Sequence, residues 1–241
     1  MKLRPPPDIH EAAVEHHYAR APSGEVENDA TIASLATAVR TTRLNSESLA
    51  AYADTLAKDR LLSPDAARLK LRDNALKLAE ATAKKLDEAK ARVQQEVAEI
   101  TARTSTPPAP RDQLSAGLEA EIRARLASMP EKARDEAIGK AFAEMDGSII
   151  AAVLRGPALL VGLSQSRQDM VRHRYRTTFH PAEEARLKRL TAALEATERS
   201  GRSFINYIAS ATTGSAVQIA EAAANAQAAE QAIKAAIGQQ E

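Results

Sequence analysis

The chain has 241 residues, with 33 basic and 32 acidic side chains for a formal charge of +1, and is 44% hydrophobic but only 3% aromatic. That length allows one large or two small domains, and the balanced charge favours neither a polyanion nor a membrane surface as a generic partner. Cysteine and tryptophan are absent, so disulfides, thiolate-bound metals and thiol catalysis are excluded, and the apolar content is mostly Ala, Leu, Ile and Val, as in a soluble helical protein.

Residues 1–28 read as an extended arm. Pro5, Pro6 and Pro7 favour an extended start, a helical patch runs from Ile9 to Arg20, and Pro22-Ser23-Gly24 breaks it. Such an arm orders by docking, either on its own body or on a neighbour. The first residues carry no apolar core of a secretory signal, so a cytoplasmic or virion location is expected rather than secretion.

Residues 29–104 carry the pattern of a long antiparallel helical hairpin. Asn28 or Asp29 supplies a cap, followed by Ile32, Leu35, Val39, Thr42, Ser46, Leu49, Ala53 and Leu56 at alternating steps of three and four. The polar seats around Asn45-Ser46 allow a kink there. Ser63-Pro64-Asp65 then opens a second helix, with a cap, a first-turn proline and an acid at the positive helix end. Its expected seam runs through Leu69, Arg72, Leu76, Ala79, Ala83, Leu86, Lys90, Val93, Val97 and Ile100, a seven-residue period that asks for coiled-coil packing. Leu69, Leu76, Leu86, Val93, Val97 and Ile100 are its apolar seats.

Residues 105–111 hold three prolines and read as an extended linker, and so as the domain boundary. Residues 112–199 read as a helical bundle. Asp112 caps its first helix, Ser128 a second, and Ser164 or Ser166 a later one. The most apolar stretch, Ile149–Leu163, is interrupted by Arg155 and Gly156-Pro157 and is too short to span a bilayer, so it supplies the core of that half. Ser200-Gly201 is expected to interrupt the helix that follows His180-Pro181. Residues 200–241 read as an alanine-rich terminal helix with Phe204, Ile208, Ala211, Ser215, Ile219, Ala222, Ala226, Ala229, Ile233 and Ala236 along one face. Alanine lets helices approach closely but buries little area, so this tail favours self-association or docking.

Chemistry-bearing patterns are sparse. His10-Glu11 with His16-His17 resembles a zinc-binding helix only superficially, because the place that needs the second histidine is Val14. No metal site and no cofactor are expected. Gly162-Leu163-Ser164-Gln165-Ser166 lacks the closing glycine of a nucleophile elbow, and no phosphate loop surrounds Gly139-Lys140. No catalytic residue is assigned, and the chain is expected not to be an enzyme. The segment 167–189 has seven Arg or Lys against three acids. Arg167, Arg172, Arg174, Tyr175, Arg176 and Arg189 form its candidate nucleic-acid surface, with cations for phosphates and an aromatic ring for stacking.

The expected fold is therefore all-α and elongated: a coiled-coil-like hairpin, a helical bundle and an alanine-rich C-terminal helix. Arm, long hairpin and low aromatic content together resemble the helical internal, scaffolding or ejection proteins of bacteriophage heads. That resemblance implies a structural protein working through helix-mediated contacts with itself, as a homo-oligomer, and with other proteins of an assembly. A nucleic-acid-associated protein using 167–189 is the alternative, and a membrane-active helical effector built around 148–163 a second one. No membrane span is expected.

Overall fold

In a computed structural model, the described residues are 3–27, 29–213 and 215–238, and they contain helices with no strand. The fold is all-α. In chain order the helices are α1 (Ala12–Glu15), α2 (Ala30–Lys58), α3 (Pro64–Thr104), α4 (Gln113–Ser128), α5 (Glu131–Ala143), α6 (Gly147–Arg155), α7 (Gln165–Phe179), α8 (Pro181–Thr212) and α9 (Ser215–Gly238), with a 3-10 turn at Ala158–Val161. Asn28 lies outside the described residues, as do the side chains of Ser215 and Ala236. Among the described residues no helix is long and apolar enough to cross a membrane.

The chain divides into two units, Met1–Val93 with Ala192–Glu241, and Gln94–Thr191. The boundaries fall inside α3 and α8, not at the proline-rich segment. Residues 105–111 instead belong to the second unit, where the Pro107 carbonyl accepts a hydrogen bond from Arg155 Nε at 3.3 Å. Composition marks where a backbone is stiff or soft, but these boundaries lie where an unbroken helix changes packing partners. The expected break at Ser200-Gly201 is likewise absent. Helix α8 runs through it with Ser200 buried, and the alanine-rich tail comprises the end of α8 and a separate α9.

In the first unit, α2 packs against α3, with all eight positions of its expected stripe buried. Asp29 starts α2 by accepting from the amides of Thr31 and Ile32, both at 3.1 Å. No kink forms at Asn45-Ser46, where the Ser46 hydroxyl donates to the Thr42 carbonyl of its own helix at 2.9 Å and both residues also meet a neighbouring helix. Asn45 Nδ2 donates to Thr82 Oγ1 of α3 at 2.8 Å. The Ser46 carbonyl accepts a bond from Tyr207 of α8 at 2.9 Å. Burial pushes the Tyr207 phenol up to about 12, so it remains a donor across the whole accessible pH range.

The α3 seam needs a correction of one residue. Leu86, Val93 and Ile100 are buried as expected, but Leu69 and Val97 are only half-buried and Leu76 is 43% exposed. The companion row is Ala75, Thr82 and Ala89, continued upward by Leu71, instead of Leu76, Ala83 and Lys90. The two rows are adjacent on the helix surface, and choosing the larger side chain at 76 over 75 selects the wrong one. The observed row keeps Arg72 and Lys90 at the margin, where long side chains reach solvent. Its small residues admit a close neighbour.

The arm docks on its own unit. Leu3, Ile9 and Val14 are buried, and Glu11 anchors the segment to α2. Arg43 grips the Glu11 carboxylate with two bonds of 3.0 Å while Arg40 adds a third at 3.1 Å. The Arg43 hydrogen bond is the main reason the Glu11 carboxyl is held down from the usual 4.5 to about 2.

The second unit closes around the apolar stretch singled out in the sequence. Ile150, Val153, Leu154, Val161 and Leu163 pack with Leu126, Phe142 and Tyr175. Gln168 of α7 donates to the Val153 and Gly156 carbonyls at 2.8 and 2.7 Å, satisfying the end of α6. Asp112 and Ser164 cap α4 and α7 as expected. Ser128, by contrast, is the last residue of α4, and Pro130 stands at the start of α5 without a side-chain cap. Gly162 adopts a left-handed φ of 69°, and a methyl group there would fall 2.0 Å from Arg134 Nη1. The buried Arg134 guanidinium occupies that space and donates to the Val161 carbonyl at 3.4 Å.

Leu71→Asp is expected to cost about 3–5 kcal/mol and lower the melting temperature accordingly, whereas Leu76→Asp costs less than about 1 kcal/mol. Thermal unfolding of the two variants side by side checks the seam. Because the folded value of Glu11 lies below its ordinary one, its stabilising contribution is full above pH 4.5 and drains as the pH falls toward about 2. Glu11→Gln is expected to flatten the melting temperature over that window relative to the unaltered chain.

Candidate functional site

Of the six candidate nucleic-acid residues, Arg167 and Arg174 line one depression, Tyr175 is buried, and most of the cations are engaged by neighbouring groups. Arg167 bridges Glu131 and Asp135 of α5 at 2.7 and 2.8 Å. Arg172 pairs with Asp169 at 2.6 Å, and Arg176 Nε with Glu184 at 3.2 Å. The Arg174 guanidinium lies 4.5 Å above the Phe142 ring, a cation–π contact. Tyr175 is buried in the core with its hydroxyl 3.3 Å from His180 Nε2, and burial pushes its phenol up. Arg189 is half-buried, with Nε lacking a hydrogen bond among the described residues. Most of the excess positive charge of the segment is thus engaged within its own unit. The nearby acids in the sequence, Asp169 three residues before Arg172 and Glu184 eight after Arg176, were the signal for it.

The N-terminal histidines serve the arm. His10 Nδ1 accepts from the Ala12 amide at 3.1 Å, and the His16 and His17 rings meet edge to face at 5.5 Å. Desolvation, reinforced by His16 and Arg199, pulls the His17 imidazole below its ordinary value.

A concave surface lies in the first unit, between α3 and α8. It is an open groove of about 600 Å³. Its floor is apolar: Leu86, Phe204 and Ile208 are all buried, and Thr197 closes the bottom. Ala83 and Gly201 form low walls, and a methyl group added at Gly201 would meet nothing within 4 Å. On the rim, Lys90 lies between Asp87 at 3.8 Å and Glu198 at 4.0 Å. Arg202, also on the rim, has no carboxylate in salt-bridge range among the described residues. Beside the floor, Ile205 is 66% exposed.

Three helices of the first unit, α2, α3 and α8, therefore bury one another on two sides and leave the α3–α8 side uncovered. Such an apolar trough with a charged rim suits a helix better than a small polar molecule. Sequence reasoning missed it because Phe204, Ile208 and Leu86 were each placed on seams of their own helices. The pairing of those seams is a tertiary fact.

Comparison with protein-family models, with curated proteins and with solved structures returns no match to this chain.

The groove separates support from display. Phe204→Ala is expected to lower stability by about 3–5 kcal/mol, whereas Ile205→Glu is expected to change it by less than about 1 kcal/mol. Circular dichroism melting of both variants measures the contrast.

Proposed function

We propose that this chain is a non-enzymatic structural protein that acts through helix-mediated contacts in a homo-oligomer or larger assembly. The observation that carries the reading is the uncovered apolar groove between α3 and α8, with Ile205 beside it at 66% exposure. Isolated apolar residues on a surface are ordinary, but a contiguous trough built on two long helices is the form in which a protein receives another helix. Engagement of Arg167, Arg172 and Arg176 by carboxylates weighs against the nucleic-acid alternative, since a phosphate contact would have to displace those pairs. The layout that resembles bacteriophage head proteins fits the same reading: an assembly protein of a virion, meeting copies of itself and neighbouring proteins.

The test is the mass in solution. Sedimentation equilibrium across a concentration series is expected to show reversible association beyond the monomer, weakened by Ile205→Glu. A strictly monomeric chain at every concentration overturns the proposal.

A further inference from the structure

Resting on that reading, we infer that the occupant of the α3–α8 groove is helix α9 of a second copy of this chain, exchanged reciprocally in a two-fold dimer. Four observations lead there.

The first is a vacancy matched by a surplus. The first unit has three mutually packed long helices with one open side, and the same unit also holds a 24-residue helix whose described side chains, 218–234, are mostly exposed. Ile233 of α9 is 61% exposed. A helix of about 36 Å is ample for the groove, whose α8 wall runs from residue 197 to 208, or about 17 Å.

The second is Gly201. It sits in the interior of α8, where glycine costs roughly 0.5–1 kcal/mol relative to alanine. Nothing among the described residues requires it, since a Cβ there would meet open space. The absence of a side chain becomes useful once another backbone lies against it. The α9 sequence, with Ala222, Ala226 and Ala229 on one side, is of the small kind that allows such an approach.

The third is charge. Arg202 stands on the groove edge without a carboxylate partner among the described residues, while Lys90 is already paired. Helix α9 brings Glu221 and Glu230.

The fourth is the hinge. Helix α8 ends at Thr212 and α9 begins at Ser215. To fill its own groove, α9 would have to reverse direction between those two ends, a spacing at the lower limit for helix hairpins. Short hinges favour exchange between copies, which avoids the reversal. In a two-fold pair each copy gives one helix and receives one, so the contact is made twice and closes on itself.

The absence of native cysteine makes disulfide trapping in the full-length chain specific. Ala83→Cys and Ala226→Cys are prepared as separate variants, mixed under native conditions and oxidised mildly, with Ala222→Cys and Ala229→Cys covering a shift of one helical turn. A crosslinked dimer is expected from at least one mixture, and none from the Leu61→Cys control mixed with Ala226→Cys. Gly201→Leu is expected to abolish that crosslink and weaken dimerisation by about tenfold or more, with helicity retained because the site is open within one chain. An oligomer that forms without these crosslinks, or that Gly201→Leu leaves unchanged, overturns the α9 assignment while the assembly reading stands. Intrachain crosslinking in the Ala83→Cys/Ala226→Cys double variant overturns the exchange. A chain that stays monomeric overturns both.

Discussion

The register of the first unit depends on a small polar node buried among its long helices. Asn45 reaches Thr82 across the α2–α3 contact, and Tyr207 reaches the Ser46 carbonyl across the α2–α8 contact. Apolar stripes of alanine, leucine and valine would tolerate a slide by one heptad with little loss, because one small or branched residue replaces another. A buried amide or hydroxyl does not tolerate it, since a slide strands the donor without a partner. Two hydrogen bonds thus fix the axial positions of three helices. The groove between α3 and α8 exists only in that register, because Leu86 and Phe204 must lie level to share one floor.

Much of this architecture follows from local pattern. The stripe on α2 is entirely buried, and the caps Asp29, Ser63, Asp112 and Ser164 start their helices. The apolar stretch Ile149–Leu163 supplies the core of the second unit. These succeed because each depends on spacing within one helix. What eluded the sequence depends on pairing. Ala75 and Leu76 are neighbours on the same surface, and only the position of α2 decides that the smaller one faces it. Asn45-Ser46 looks like a weakness until Thr82 and Tyr207 arrive from 37 and 161 residues away. The groove belongs to this second class, as does the pairing of Arg167 with Glu131 and Asp135, which come from another helix.

The two units manage buried charge differently. In the first, Glu11 collects Arg40 and Arg43 to fasten an arm that is otherwise held by Leu3, Ile9 and Val14. In the second, Glu119 is bonded to Arg155 and lies 3.7 Å from Arg123, and Arg155 also holds the Pro107 carbonyl. In the first the arginine–carboxylate clasp itself fastens the arm; in the second the clasp joins α4 to α6, and its arginine holds the proline-rich segment through the Pro107 carbonyl. Proline offers no amide hydrogen with which to join a backbone ladder, so side-chain charge supplies the attachment.

Because α3 and α8 each contribute residues to both units, the gene has no natural cut site at its proline-rich stretch. A fragment beginning at residue 105 would forfeit Ile100 and Thr104, both buried, together with Glu96, the partner of Arg186. A fragment ending at 104 would lose α8 and with it the tyrosine that clasps α2. Dissection by truncation would therefore report on damaged halves, and point substitutions in the intact chain are the sounder genetic tool.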